Sequence, residues 1–185
     1  MSSLAPGDPA PDFSLPGVDG KTWRLADVAE SEPGHPAPAF VVIFSCNHCP
    51  YVKAYEDRLI AAQAAYRDRG VRFVAINSNE TENYPEDRFE EMVKRAKAIE
   101  YNFPYLRDES QAVAKAYGAM KTPHLFVFDR ERRLRYSGAP DNQWQDPAKV
   151  TRRYLQEALD ALLAGRPVQE AQTHPVGCTV KWRKT

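Results

Sequence analysis

The sequence predicts an α/β fold, a central mixed β-sheet flanked by helices, with an N-terminal β-hairpin and a helical insertion. Three observations carry that expectation. Phe40-Val-Val-Ile-Phe44 is a continuous apolar run, the pattern of a strand buried on both faces. Val71-Arg-Phe-Val-Ala-Ile76 repeats the pattern after a helical stretch, so the two form a strand–helix–strand crossover with parallel strands and a right-handed connection. Further on, His124-Leu-Phe-Val-Phe128 and Leu134-Arg-Tyr-Ser flank the tight turn Asp129-Arg-Glu-Arg, which predicts an antiparallel pair.

Taken in order, residues 1–20 are rich in Pro, Gly and Asp. Asp12-Phe-Ser-Leu-Pro and Lys21-Thr-Trp-Arg-Leu flank an Asp19-Gly20 turn, a short hairpin appended to the main sheet. Ser31-Glu-Pro-Gly-His-Pro-Ala-Pro reads as a loop, with His35 solvated in it. Val52, Tyr55, Leu59, Ala62 and Tyr66 recur at helical spacing up to Gly70. Pro85 suits the first position of another helix, with Glu86 and Asp87 matching its dipole and Phe89, Met92, Val93, Ala96 and Ile99 as the apolar stripe. Phe103-Pro-Tyr-Leu is an extended link. Asp108-Glu-Ser-Gln111 resembles a capping box opening a short helix, with Ala112, Val113, Ala116 and Tyr117 inward and Gly118 closing it. Asp146-Pro147 caps and starts a last helix carrying Val150, Tyr154, Leu155, Ala158, Leu159 and Leu162. The tail, residues 166–185, alternates Val and Trp around Cys178 and reads as a short strand docked on the domain.

The length of 185 residues suits a single domain, residues 1–185, burying about 70% of its unfolded surface. With 25 basic against 25 acidic residues there is no electrostatic footprint for nucleic acid or for an anionic membrane. No apolar run approaches a membrane span, and Met1-Ser-Ser-Leu-Ala-Pro has neither the basic start nor the apolar core of a signal peptide. A cytoplasmic protein is therefore expected, where thiols are kept reduced. Three cysteines in that setting, two of them separated by two residues, indicate catalysis or metal binding rather than scaffolding.

The chemistry centres on Ser45-Cys46-Asn-His-Cys49-Pro50 at the junction of the first buried strand and the following helix. A helix N-terminus presents unpaired N–H groups and partial positive charge, which favour thiolate over thiol. If Cys46 sits at the cap, the spacing brings both side chains to one edge of the first turn, within disulfide reach. His48 can add positive charge beside the thiolate, and Pro50 falls where its missing N–H would have had no helical partner. The bland alternatives are two structural core cysteines and an exposed imidazole. Cys178 is open between a third redox cysteine and a small core hydrophobe.

The order of elements, with Thr122-Pro123 at the head of a strand, resembles the thioredoxin fold. Cys46-Asn-His-Cys-Pro-Tyr-Val, Ala75-Ile-Asn-Ser-Asn, Tyr84-Pro-Glu-Asp, Phe103-Pro-Tyr-Leu-Arg-Asp, Ala116-Tyr-Gly-Ala, Thr122-Pro and Gly177-Cys-Thr-Val-Lys-Trp are similar to the peroxiredoxin-like, AhpC/TSA-type redoxins, over about Pro6 to Trp182. The resemblance implies a thiol–disulfide oxidoreductase acting in redox homeostasis or antioxidant defence, with no cofactor and no resident metal. Cys46 would be the exposed nucleophile and Cys49 the buried thiol that resolves a mixed disulfide. Pro123 would be cis beside the two sulfurs, leaving residues 122–124 as an edge for a partner's extended segment. Partners would be protein or small-molecule disulfides and thiols of the thioredoxin or glutathione system. His48, Asn47, Thr122 and His124 would support the pair, and the tail could fold over it as a lid bearing a resolving thiol.

Departures from the pattern shape the alternatives. Ser45 stands where thioredoxins carry Trp, and Phe40 where they keep a buried acid, so proton handling falls to His48, His124 or water. A cysteine flanked by this histidine is expected to titrate below the free-thiol value. The peroxiredoxin pattern Pro-x-x-x-Thr/Ser-x-x-Cys fits neither register, since Val42 and Cys46, or Ala39 and Ile43, hold the Pro and Thr places. A thiol-dependent peroxidase is the first alternative. A zinc or copper(I) protein using Cys46, Cys49, His48 and His124 is the second.

Overall fold

A computed structural model describes residues 3–184; Met1, Ser2 and Thr185, the ends of the expected domain and tail, lie outside the described residues. In chain order the elements are β1 (Ser14–Pro16), β2 (Thr22–Arg24), α1 (Leu25–Val28), β3 (Glu30–Glu32), β4 (His35–Pro36), β5 (Ala39–Ser45), α2 (Pro50–Arg67) and β6 (Arg72–Asn77). There follow α3 (Phe89–Ala98), β7 (Tyr105–Arg107), α4 (Ala112–Tyr117), β8 (Lys121–Thr122), β9 (His124–Asp129), β10 (Leu134–Gly138), α5 (Tyr154–Leu163) and β11 (Cys178–Thr179). The central sheet runs β10-β9-β5-β6-β7, with β5, β6 and β7 parallel and β9 and β10 antiparallel to their neighbours. This is the thioredoxin-like fold.

β5 is central because all seven of its residues are buried. Its side chains alternate between two cores, as the period of two in a strand requires. Phe40, Val42 and Phe44 pack with Leu25, Val28, Val113 and Tyr117 on one face. Ala39, Val41 and Ile43 pack with Tyr55, Leu59, Ala62 and Tyr66 of α2 and with Leu155 and Leu159 of α5 on the other. No helix among the described residues is long and apolar enough to cross a membrane.

Several elements depart from the sequence expectation. Phe103–Leu106 is more than a link, because β7 extends the parallel sheet beside β6. Pro85–Asp87 is a single 3₁₀ turn, and α3 starts at Phe89 after an extended Arg88. On α3 only Met92 is fully buried, and Val93 faces solvent. Asp146 does cap a turn, accepting the Ala148 N–H, but that turn is Pro147–Lys149 and the last helix begins later at Tyr154. Asp108 forms no capping box at Gln111. It lies buried, accepting from the Ser78 hydroxyl and the Ala114 N–H, while Gln111 enters α4 at φ 62° and Ala112 and Ala116 are exposed. The expected loop at 31–38 is largely the small β3–β4 ladder, which starts at Glu30.

Phe40 stacks on Phe128 with ring centroids 5.1 Å apart, in the place where the resemblance would put an acid. Phe40→Ala should cost about 3–5 kcal/mol of stability, read as a lower urea midpoint at unchanged m-value.

Candidate active site

α2 does not begin where the sequence suggested. Its N-cap is Cys49 and Pro50 is its first residue, so Cys46 lies in the loop leaving β5 rather than at the cap. The geometry follows from Pro50, whose ring fixes φ for a first helical turn and needs no N–H partner. The thiol facing the helix's free N–H groups is therefore Cys49.

Both sulfurs converge on Thr122. Cys46 Sγ is 3.4 Å from Thr122 Oγ1, and the Cys49 sulfur is 3.3 Å from the Thr122 carbonyl oxygen. The Thr122–Pro123 peptide is cis. Cys46 and Cys49 are both buried, and the half-buried sulfur is that of Cys178, 2.8 Å from Cys49 Sγ. An exposed Cys46 is thus not found: the docked tail and the Thr122 edge cover the pair.

The two cysteines titrate in opposite directions. A hydrogen bond from Cys46 holds Cys49 down to about 4 against its burial, helped by Cys178 and by the N–H of Val52 at the helix start. That same bond, with burial and the charge of Asp87, pushes Cys46 well above an ordinary thiol. The lowered pKa expected for the first cysteine belongs to the second, because the helix terminus solvates Cys49 and the acid faces Cys46.

That acid, Asp87, is the site's main addition to the sequence reading. It is fully buried at the end of the 3₁₀ turn and accepts four hydrogen bonds. Oδ1 takes the Asn47 N–H at 2.7 Å and Asn77 Nδ2 at 3.1 Å, and Oδ2 takes His48 Nδ1 and Asn79 Nδ2 at 2.7 and 2.8 Å. Burial alone would raise its pKa, but these donors outweigh it and hold the carboxyl below its usual range. His48 is raised by the bond to Asp87, despite its own desolvation. Its ring stacks on Tyr84 at 5.1 Å, so the imidazole serves the acid rather than pointing straight at a thiolate. Asn47 completes the loop, donating from Nδ2 to the Glu86 carbonyl and accepting from the Tyr105 hydroxyl.

His124 does not join this group. Its Nδ1 accepts the Met120 N–H, its Nε2 meets the Ser137 hydroxyl, and burial lowers its pKa to about 4. It is a neutral core histidine, and the ligand set Cys46, Cys49, His48 and His124 does not form. The described residues instead bring Cys46, His48 and Asp87 ligand atoms within 4.8 Å of one another. With four donors already on the carboxylate, this trio reads as a hydrogen-bonded network.

The sequence profile of the AhpC/TSA family matches residues 6–137. The chain belongs to that family. Among solved structures, this AhpC/TSA protein is 45% identical to an uncharacterized conserved protein from Geobacillus kaustophilus, covering 98% of this chain and 94% of the other, with a TM-score of 0.90. A hypothetical protein from Sinorhizobium meliloti 1021 is 39% identical, over 100% of this chain and 98% of the other, also with a TM-score of 0.90. The thiol-disulfide oxidoreductase ResA of Geobacillus thermodenitrificans is 26% identical over 136 residues, 72% of this chain and 69% of its own length. Thioredoxin-type structures below 25% identity share the fold alone.

Asp87, Asn77, Asn79, Tyr84 and Tyr105 lie within motifs that carry the resemblance, but nothing in the sequence assigns them a place in the site. One signal was available: the segment that follows β6, the strand beside β5, leaves the same sheet edge as the cysteine loop and carries an acid in its 3₁₀ turn. The expected role of Asp87 at a helix dipole gives way to its four hydrogen bonds in the site.

Two outcomes are expected. Under reducing conditions one thiolate absorbance step should titrate below the ordinary thiol range, a step lost in Cys49→Ser. As Cys49 is ionised in the fold where the unfolded chain is protonated, its contribution to stability is full above the ordinary thiol value of 9.0 and is lost as pH falls through about 4. The second outcome concerns the tail. A Cβ on Gly177 would lie 2.1 Å from the Thr122 carbonyl oxygen. Gly177→Ala should weaken tail docking by about 1–3 kcal/mol, seen as faster alkylation of Cys49 with the core's unfolding midpoint little changed.

Proposed function

We propose that this protein is a thiol–disulfide oxidoreductase working through Cys46 and Cys49. The observation that carries the reading is geometric: Cys49 caps α2, and both sulfurs converge on Thr122 beside the cis peptide to Pro123, with the Cys49 thiol lowered by its hydrogen bond from Cys46. Membership of the AhpC/TSA family and likeness to a thiol-disulfide oxidoreductase support the class of chemistry.

In the reductive direction the Cys49 thiolate attacks one sulfur of a partner disulfide. The partner's S–S bond breaks, a mixed disulfide forms on Cys49, and one partner thiolate leaves. Cys46 then gives up its proton and attacks Cys49 Sγ, forming the Cys46–Cys49 disulfide and releasing the second partner thiolate. Two electrons pass to the partner, and its two sulfurs take up two protons. This reverses the roles of nucleophile and resolving thiol implied by the resemblance. The reason is physical: a thiolate attacks and a thiol does not.

Cys46 needs a proton acceptor. Asp87 lies within 4.8 Å of Cys46 Sγ and stays ionised, with His48 sharing the proton on its other side. It supplies, from the loop after β6, the buried base that Phe40 cannot.

The test uses oxidised glutathione as substrate at neutral pH. Wild type should form a reversible Cys46–Cys49 disulfide, Cys46→Ser and Cys49→Ser should each fall to the uncatalysed rate, and Asp87→Asn should slow turnover by about 10²-fold. Turnover that survives in Cys49→Ser would sink the reading. Rapid consumption of hydrogen peroxide with a thiol donor, without glutathione turnover, would favour the peroxidase class instead.

A further inference from the structure

The pair is closed from outside by this chain's own C-terminal segment. β11 pairs antiparallel with β8, setting Cys178 opposite Thr122 and Thr179 opposite Lys121. Gly177 passes so close to the Thr122 carbonyl that no side chain fits there. Beyond the strand, the Val180 N–H donates to the Met120 carbonyl and Val180 is buried in the core. The Lys181 N–H donates to Asn79 Oδ1, and its carbonyl accepts from the Glu80 N–H and from Gln111 Nε2. The tail is therefore an extended strand fixed on both sides of the cysteine loop, and the side chain it presents to Cys49 is a thiol. It occupies the edge on which an incoming peptide would have to lie, with its sulfur where a partner's sulfur would be.

We propose that Cys178 is a third catalytic thiol, the point at which reducing equivalents enter the site, and that a Cys49–Cys178 disulfide alternates with Cys46–Cys49. This rests on the oxidoreductase reading above. It starts from the oxidised pair. Cys178 loses its proton to water and attacks Cys49 Sγ. The Cys49–Cys178 bond forms, the Cys46–Cys49 bond breaks, and Cys46 leaves as a thiolate that takes up one proton. No electrons leave the protein in this exchange. It moves the disulfide from two buried sulfurs to one that includes a half-buried sulfur. A dithiol protein of the thioredoxin type then attacks Cys178, forming a mixed disulfide with it, and Cys49 departs as a thiolate. The second thiol of that protein attacks its own bonded sulfur, releasing Cys178. The incoming dithiol ends as a disulfide and this protein ends reduced by two electrons.

Three features favour that order. Of the three sulfurs only Cys178 is accessible to a macromolecule while the tail is docked. Cys49 is the most acidic of the three, hence the best leaving group. Cys178 is itself raised to about 11 by burial and by its contact with Cys49, with Lys181 and Lys121 pulling the other way, so it attacks Cys49 only through its small ionised fraction and, once bonded to Cys49, is the exposed sulfur a partner attacks.

The experiment uses the full chain equilibrated in a glutathione redox buffer, with linkages mapped by mass spectrometry of non-reduced peptides. Cys46→Ser should yield an intrachain Cys49–Cys178 disulfide at a fraction independent of protein concentration. Cys178→Ser should still form Cys46–Cys49, but reduction of that bond by thioredoxin should slow at least about tenfold. If wild type forms Cys46–Cys49 while Cys46→Ser gives only free thiols or intermolecular dimers, the relay is overturned and the oxidoreductase reading stands. Reduction of Cys178→Ser as fast as wild type overturns it equally. Absence of Cys46–Cys49 in wild type, with Cys49–Cys178 present in Cys46→Ser, overturns the underlying reading and the alternation with it.

Discussion

One buried carboxylate organises the site. Asp87 sits at zero exposure, where an unpaired charge would cost several kcal/mol, and it is kept ionised by four donors from two segments. Asn47 and His48 come from the cysteine loop, and Asn77 and Asn79 come from the end of β6. Each donor that stabilises the charge is also held by it. The Asn47–His48 segment is pinned, which fixes how far Cys46 stands from the cap of α2. Asn79 passes the constraint outward, because its side-chain oxygen binds the backbone of Lys181 in the tail. Acid, cysteine loop and tail are thus one hydrogen-bonded unit built around a single charge.

The same carboxylate explains why two cysteines in one loop differ so much. The field of a helix terminus acts over about one turn, and Cys49 lies inside it while Cys46 does not. Asp87 acts with the opposite sign on the nearer sulfur, Cys46. The hydrogen bond between the thiols then places the shared proton on Cys46. A neutral residue at 87 would leave only the helix to separate the two, and the division between attacking and resolving sulfur would weaken.

The scaffold was legible because its signals are local and strong. Five consecutive apolar residues, a helical stripe closed by a glycine and a tight turn between two runs each specify one element, and β5, α2, β6, β9 and β10 formed where those signals lay. Elements set by tertiary contact were harder to read. Tyr105–Arg107 is only three residues long and becomes a strand because the edge of β6 is free to pair. The acidic residues near Pro85 look like dipole partners in sequence, but a half-buried imidazole and two buried asparagines claim Asp87 more strongly than a solvent-exposed helix end could. Within the site, the Cys-x-x-Cys spacing was plain, yet the ordering of the two sulfurs was not. It turns on whether the cap falls at Cys46 or three residues later, and Pro50 decides that by being fixed for the first helical position. His124 shows the converse error: adjacency in sequence to Pro123 suggested a role, while strand alternation turns its ring into the core toward Ser137.

The tail raises a question of access that the thiol chemistry alone does not answer. A buried thiolate is protected from adventitious oxidation, but it is equally shielded from a partner, and thiol exchange requires three sulfurs nearly in line. A lid made of inert residues would have to leave before every turnover, losing the Asn79, Glu80 and Gln111 contacts each time. A lid carrying its own thiol need not leave when the oxidised pair is reduced again. It presents the third sulfur from within, in the register that β8 enforces, and in that half of the cycle the exchange with a partner takes place at the surface. The backbone bonds on both sides of Cys178 then serve catalysis by fixing one sulfur against another, and selectivity passes from the pair itself to whatever surface can dock beside residues 176–181.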